Sequence, residues 1–223
     1  MYKPIKRFLD ILIALVALVI LLPVFFLVSI ILLLTGEHEI LYRQKRVGYR
    51  NRPFYIWKFA TMIKNSPHMG TGEITLRNDP RVTPVGRVLR KTKINELPQI
   101  INVLIGDMSI VGPRPLMEVS YNLFDEKTKK NIYSVRPGIT GIGSLVFRDE
   151  EKMLSAAQDP KAMYQAIYPY KASLENWYIC NMSFSTDVII IGMTAWAIIF
   201  PESQHKIEVM FKDLPARNSF DVV

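Results

Sequence analysis

The 223-residue chain sets 28 Lys and Arg against 20 Asp and Glu, a formal charge of +8, yet 49% of its residues are hydrophobic. Basic and apolar together point to a membrane surface, whereas a nucleic-acid binder would more often be basic and polar. A single cysteine, Cys180, excludes an internal disulfide, and three scattered histidines argue against a zinc site.

The first feature in chain order is Ile11 to Leu34, 24 residues without a charge, long enough as a helix to cross a bilayer core of roughly 30 Å. The run is too long for the core of a cleaved signal peptide, and no small-x-small cleavage site follows it. Pro23 sits in its middle, where it removes one backbone hydrogen bond and kinks a helix. Lys3, Lys6 and Arg7 precede the run, and Arg43, Lys45, Arg46, Arg50 and Arg52 follow it. The positive-inside rule expects one basic flank for a spanning helix. Two basic flanks favour a re-entrant hairpin that bends near Pro23 and leaves by the face it entered.

The excess charge follows directly. Arg43 to Lys93 holds thirteen bases against Glu73 and Asp79, a local +11, while residues 1–42 balance at three against three and residues 94–223 come to twelve against fifteen. Anionic lipid headgroups or a phosphorylated substrate would match such clustering. Tyr49, Phe54, Tyr55 and Trp57 lie within it but alternate as strand-core residues should, so nucleic acid is not expected.

ILYRQKRVGYRNRPFYIWKFATM reads as two short strands around a Gly-Tyr-Arg-Asn-Arg-Pro turn. Asn65 to Gly72 reads as loop, NDPR as a turn, and Val85 to Lys93 as a basic helix or its approach. Apolar residues at 97, 100, 101, 104 and 105 predict a helix from Glu96 to Ile105, with Pro98 in its first turn. VGPRP and VRPGITGIGS read as structured loops, and Tyr121–Tyr133 and Glu150–Tyr178 as helical. Val188 to Phe200 is too short to span and ends at Pro201; with Trp196 inside, it reads as an interfacial or core helix.

No P-loop, GxGxxG or GxSxG motif is present. Asp79, Arg81, Arg87, Arg90, Glu96, Asp107 and Arg114 remain. Arg grips phosphate with paired N–H donors and a carboxylate can hold Mg²⁺ against the same phosphate, a combination suited to phosphoryl transfer.

The stretch NDPRVTPVGRVLRKTKINELPQIINVLIGDMSIVGPRPL closely resembles the bacterial sugar transferases, the monotopic polyprenol-phosphate phosphoglycosyl transferases. The resemblance extends back through YRQKRVGYRNRPFYIWKFATM and forward through RPGITGI. It implies transfer of a sugar-1-phosphate from a nucleoside-diphosphate sugar, usually a UDP-sugar, to undecaprenyl phosphate with release of UMP, the first membrane step of glycan assembly. It also implies an α+β monotopic fold: a re-entrant helix-break-helix over residues 1–36 broken at Pro23, then a membrane-associated domain over 37–223 at the cytoplasmic face of the inner membrane. That domain would hold a small β-hairpin, a mostly helical catalytic part and interfacial amphipathic helices. By resemblance Glu96 is the Mg²⁺ (or Mn²⁺) ligand, Arg114 contacts phosphate, and Asp79, Arg81 and Arg87 lie at or near the substrate phosphates. Anionic lipids are further expected partners, with a homodimer left open.

Three positions depart from the family pattern. Leu22 replaces a Ser before the proline, Ala60 replaces the Arg of KFRTM, and Asn95 stands where the nucleophilic Asp belongs. An amide is a poor nucleophile and a weak Mg²⁺ ligand. Three readings of Asn95 stay open: an engineered exchange, a natural variant in which the polyprenol phosphate attacks directly while Asn95 only orients phosphate, or a catalytically impaired member acting as a sugar-nucleotide-binding or scaffold protein.

Overall fold

The computed structural model describes residues 2–69, 75–76, 78–200, 210–211 and 213–216. Gly70 to Gly72 of the expected loop, Glu73 and Pro201 lie outside the described residues, as does most of the chain after residue 200. The helices are α1 (Tyr2–Leu34), α2 (Pro84–Lys91), α3 (Gln99–Ile105), α4 (Glu118–Tyr121), α5 (Glu126–Ile132), α6 (Ile142–Val146), α7 (Glu150–Ala156), α8 (Pro160–Ala166), α9 (Tyr168–Cys180) and α10 (Phe184–Ile199). The strands are β1 (Leu41–Val47), β2 (Pro53–Phe59), β3 (Ser109–Val111) and β4 (Gly138–Thr140).

Helix α1 carries 33 residues and is the one described helix long and apolar enough to cross a membrane. It runs through Pro23, so the expected break is not an interruption of the helix. A proline inside a helix costs about 3 kcal/mol, and packing on both sides of it offsets that cost. Ala14, Ala17 and Leu18 lie in one cluster with Ile56, Ile100, Val103 and Met108, and Val28 and Leu32 lie in another with Phe59 and Leu89. The opposite side exposes Phe8, Val19, Ile20, Phe26 and Leu34.

The N-terminal end of α1 is also held by polar contacts. Asp187 of α10 accepts hydrogen bonds from Lys6 Nζ (2.5 Å), Tyr2 Oη (2.6 Å) and Tyr178 Oη (2.8 Å). Asp10 accepts from Ser109 Oγ (2.8 Å) and Ile110 N–H (3.0 Å) at the start of β3.

The expected hairpin is present: β1 and β2 pair antiparallel from Leu41↔Phe59 to Val47↔Pro53, closed by a 3-10 turn at Tyr49–Asn51. The two loops expected around VGPRP and RPGITGI instead contain a parallel pair, β3 with β4, in the register Ser109↔Gly138 and Val111↔Thr140. Gly112 and Gly138 permit it, because a Cβ on either would collide with backbone across the pair. The expected Glu150–Tyr178 helix is three helices, cut where Asp159 caps α8 ahead of Pro160. Tyr121–Tyr133 is likewise divided, with Asp125 capping α5. Around these helices lies the main core, with Leu116, Ile132, Tyr133, Tyr168, Leu174 and Tyr178 buried. Helix α10 is both core and surface: Ile190 and Ala197 are buried while Phe184, Val188 and Ile199 are exposed.

Candidate active site

KINELPQ forms a corner rather than the mouth of one long helix. Lys93 takes a left-handed backbone (φ 61°), Ile94–Glu96 makes a 3-10 turn, and α3 begins only at Gln99, after Pro98. This turn swings Glu96 toward β2, where Lys58 Nζ donates to its Oε1 at 3.1 Å. Ile56 and Lys58 are two residues apart, so they share one strand face, and the register puts Arg46 opposite Phe54 on that same face. Arg46, Ile56, Lys58, Glu96, Gln99 and Arg114, with Pro115, Gly138 and Ile139, line a narrow, open cleft.

Charge in the cleft is coupled. Burial works against an ionised Glu96, yet Lys58, Arg114 and Lys93 hold its carboxyl well below the usual carboxylate range. Burial brings the Lys58 ammonium down to about 8, with Glu96 opposing the fall and Arg46 and Arg114 adding to it. Partial desolvation by the surrounding residues weighs against charge on Arg114, but Glu96 and Glu150 leave its guanidinium holding a proton more firmly than an ordinary arginine.

The loop bearing Arg114 is fixed through its backbone. Arg114 N–H donates to Glu175 Oε1 (3.3 Å), its carbonyl accepts from Tyr133 Oη (3.1 Å), and Arg46 Nη1 donates to the Pro115 carbonyl (3.3 Å). The Arg114 side chain is exposed, and among the described residues its guanidinium has no hydrogen-bonding partner. A rigid backbone with a free guanidinium is what binding an anion requires.

Helix α9 supplies two further charged groups behind this loop. Lys171 Nζ donates to Glu150 Oε1 at 2.6 Å and lies 4.9 Å from the Tyr168 ring and 5.3 Å from the Tyr164 ring. Glu175 is 6% exposed, and its Oε2 is buried with no partner. Burial pushes the Glu175 carboxyl up to about 7, against the Arg114 N–H and the charges of Arg114 and Lys171. Nearby, Arg90 of α2 pairs with Glu151 of α7.

The sequence-predicted residues separate. Glu96 and Arg114 meet in the cleft. Asp79 and Arg81 are instead buried against each other, Nε to Oδ1 at 2.9 Å and Nη2 to Oδ2 at 2.6 Å, and Arg81 Nη1 also holds the carbonyls of Ser66 and Met69 at 2.9 Å. Neither lines the cleft. Arg87 is exposed on α2. Asn95 is 6% exposed, its Oδ1 is buried without a partner, and it too is absent from the cleft lining. Lys58, Arg46, Lys171 and Glu175 were not singled out from the sequence. For Lys58 a signal existed: it is a charge on the apolar face of an alternating strand, after Phe54 and Ile56.

A larger hollow of about 200 Å³ lies at the end of α1, lined in part by Ala60, Thr83, Glu37 and Glu39. Its charged lining residues are both acidic, so it does not suit phosphate.

Among the described residues no three carboxylate, histidine or cysteine side chains come together as a metal cage. Glu96 nevertheless fits a cation that completes its shell with substrate phosphate and water, because only its Oε1 is engaged, by Lys58.

The family model described as "Bacterial sugar transferase" matches residues 1–201. The chain is 36% identical over 200 residues, 89% of its length, to the UDP-N-acetylgalactosamine-undecaprenyl-phosphate N-acetylgalactosaminephosphotransferase of Aeromonas hydrophila, and spans 44% of that protein. It is 32% identical to the exopolysaccharide production protein ExoY of Sinorhizobium fredii, covering 86% of this chain and 84% of the relative. A putative undecaprenyl-phosphate N-acetylgalactosaminyl 1-phosphate transferase of Bacillus subtilis is 41% identical over 139 residues, 62% of this chain and 73% of the relative.

Proposed function

This chain belongs to the bacterial sugar transferase family, and on that premise we propose that it transfers a sugar-1-phosphate from a UDP-sugar to undecaprenyl phosphate, releasing UMP. The observation that carries this reading is the free Arg114 guanidinium beside Glu96 and Lys58 in one cleft. A diphosphate brings negative charge that Arg114 can grip in a bidentate manner, while Lys58 supplies a point charge from the hairpin. Glu96 would hold Mg²⁺ (or Mn²⁺) with the phosphate oxygens, supplying charge neutralisation.

In the transfer, an oxygen of the lipid phosphate forms a bond to the sugar-bearing phosphorus. The bond from that phosphorus to the bridging oxygen breaks, and UMP leaves with the electron pair. Asn95 supports direct displacement over a covalent intermediate. Its amide cannot yield the acyl phosphate an aspartate would form, and it is buried away from the cleft lining. The same burial favours, as a second reading, a member that binds sugar nucleotide without turnover.

The exposed apolar side of α1 and the basic segment after it support a monotopic placement at the cytoplasmic face of the inner membrane. Because both halves of α1 dock on the same domain, its two ends are better accommodated on one face of the bilayer, as in a re-entrant segment.

The test is UMP release from a panel of UDP-sugars with undecaprenyl phosphate. Release above a Glu96→Ala control is expected, and its absence with every sugar would reject turnover. Asn95→Asp is expected to raise turnover and to allow a phosphosugar adduct to be seen by mass spectrometry. Unchanged or lower activity would show that position 95 is not a nucleophile position in this chain.

A further inference from the structure

Glu175 is not explained by the transfer chemistry. It is a carboxylate in the core, reaching from α9 to the backbone N–H of the cleft's free arginine. Helix α6 crowds it from the other side, where Gly143 leaves room for Oε1 that a Cβ would fill. Only one of its oxygens has a donor; Oε2 is buried without one. An ionised carboxylate left half-satisfied in the core is costly, whereas a protonated one keeps Oε1 as the acceptor for Arg114 N–H and needs no second donor. The charged and titratable groups around it are Arg114 from the loop after β3, Lys171 from its own helix and Tyr133 from the end of α5.

We propose that Glu175 is the positioning residue of Arg114, and that it takes up a proton when the donor's phosphates bind at that arginine. The inference rests on the proposed donor site. Without substrate, the positive charge of Arg114 helps keep Glu175 ionised. A diphosphate on the guanidinium brings negative charge close to Glu175 and offsets that help, so the carboxyl gains a proton. The proton comes from solvent and settles on the carboxylate, with no other bond made or broken. Glu175 already sits close to neutrality, at about 7, so modest coupling changes its occupancy within the physiological range. In the neutral form it no longer competes electrostatically with the substrate for Arg114.

The experiment is calorimetric titration of the full-length chain in detergent with UDP, without turnover. At pH 7.5 the terminal phosphate of UDP, with a pKa near 6, is almost fully ionised. Comparing buffers of different ionisation enthalpy then reports protons taken up by the protein. A fraction of a proton per UDP is expected beyond that taken up by Glu175→Gln, and the affinity of the native chain relative to that variant should fall about tenfold from pH 5.5 to pH 8.5 for one unit of linked shift. Glu175→Gln keeps the acceptor for Arg114 N–H. It should bind UDP at least as well at pH 7.5, take up less proton than the native chain and lose the extra pH dependence, the ionisation of UDP and of Lys58 being common to both proteins. Glu175→Ala, which lacks the acceptor, should bind more weakly at every pH. Equal proton uptake in the Gln variant, or none in the native chain, would overturn the proposal. PH-independent UDP binding would overturn it alone, and absence of UDP binding at any pH would overturn the donor site with it.

Discussion

Two arginine–carboxylate groupings in this molecule use the same residue types for opposite ends. Arg81 faces Asp79, and its Nε, Nη1 and Nη2 are all occupied, by that carboxylate and by the Ser66 and Met69 carbonyls. Arg114 lies near Glu96, but its guanidinium is free and only its backbone is held. The first is a closed circuit that ties a turn to a loop. In the second, neighbouring residues are arranged so that the arginine is left over. What separates the two arginines is therefore how many of their donors the protein has already used.

The sharpest way to break that comparison is Arg81→Ala. It strands a buried carboxylate and should cost about 3–5 kcal/mol of stability, measured by thermal or denaturant unfolding in detergent, with UDP affinity of the folded fraction unchanged. Hydrogen bonding to Arg81 holds Asp79 below the usual carboxylate range. The pair's contribution is thus present above that range and is lost as pH falls through the lowered value. A large affinity loss in Arg81→Ala would place the pair at the substrate after all.

Arg114→Ala should do the reverse, weakening UDP binding roughly 10- to 100-fold for the loss of a charge-assisted contact, with the unfolding midpoint nearly unmoved. A large drop in stability would mean that its guanidinium, like that of Arg81, serves the fold. The smallest effect belongs to the half-exposed Glu151, paired with Arg90. Glu151→Gln should change stability by less than about 1 kcal/mol, so a larger shift would show that α7 is clamped to α2 more firmly than a surface pair allows.

Much of this was legible in the sequence, and the failures have physical causes. The hairpin followed from alternation around a polar turn, and α3 from an apolar repeat behind Pro98, though it begins at Gln99 because Ile94–Glu96 turns as a separate 3-10 corner. The β3–β4 pair was missed because each strand has three residues and the ladder is parallel, a pairing between segments 29 residues apart that leaves no local pattern. Asp79 and Arg81 looked like site residues because a motif records that residues are needed, without saying whether the need is for substrate or for fold. Glu175 carried no signal at all: its setting is made by α6 and by the loop after β3, which no local window joins.

The bonds from Asp10 to Ser109 and Ile110 have a mechanical consequence. Those residues open the strand that leads into Arg114, four positions beyond Ile110. Helix α1 and the loop that presents Arg114 are thus one lever, and on the proposed function the depth of α1 in a bilayer would set the height at which the guanidinium meets a lipid-borne phosphate. On that reading, leaving α1 without lipid or detergent would slacken the loop while the aromatic core around Tyr168 and Tyr178 stayed folded, so affinity for the donor would fade before any loss of structure could be seen.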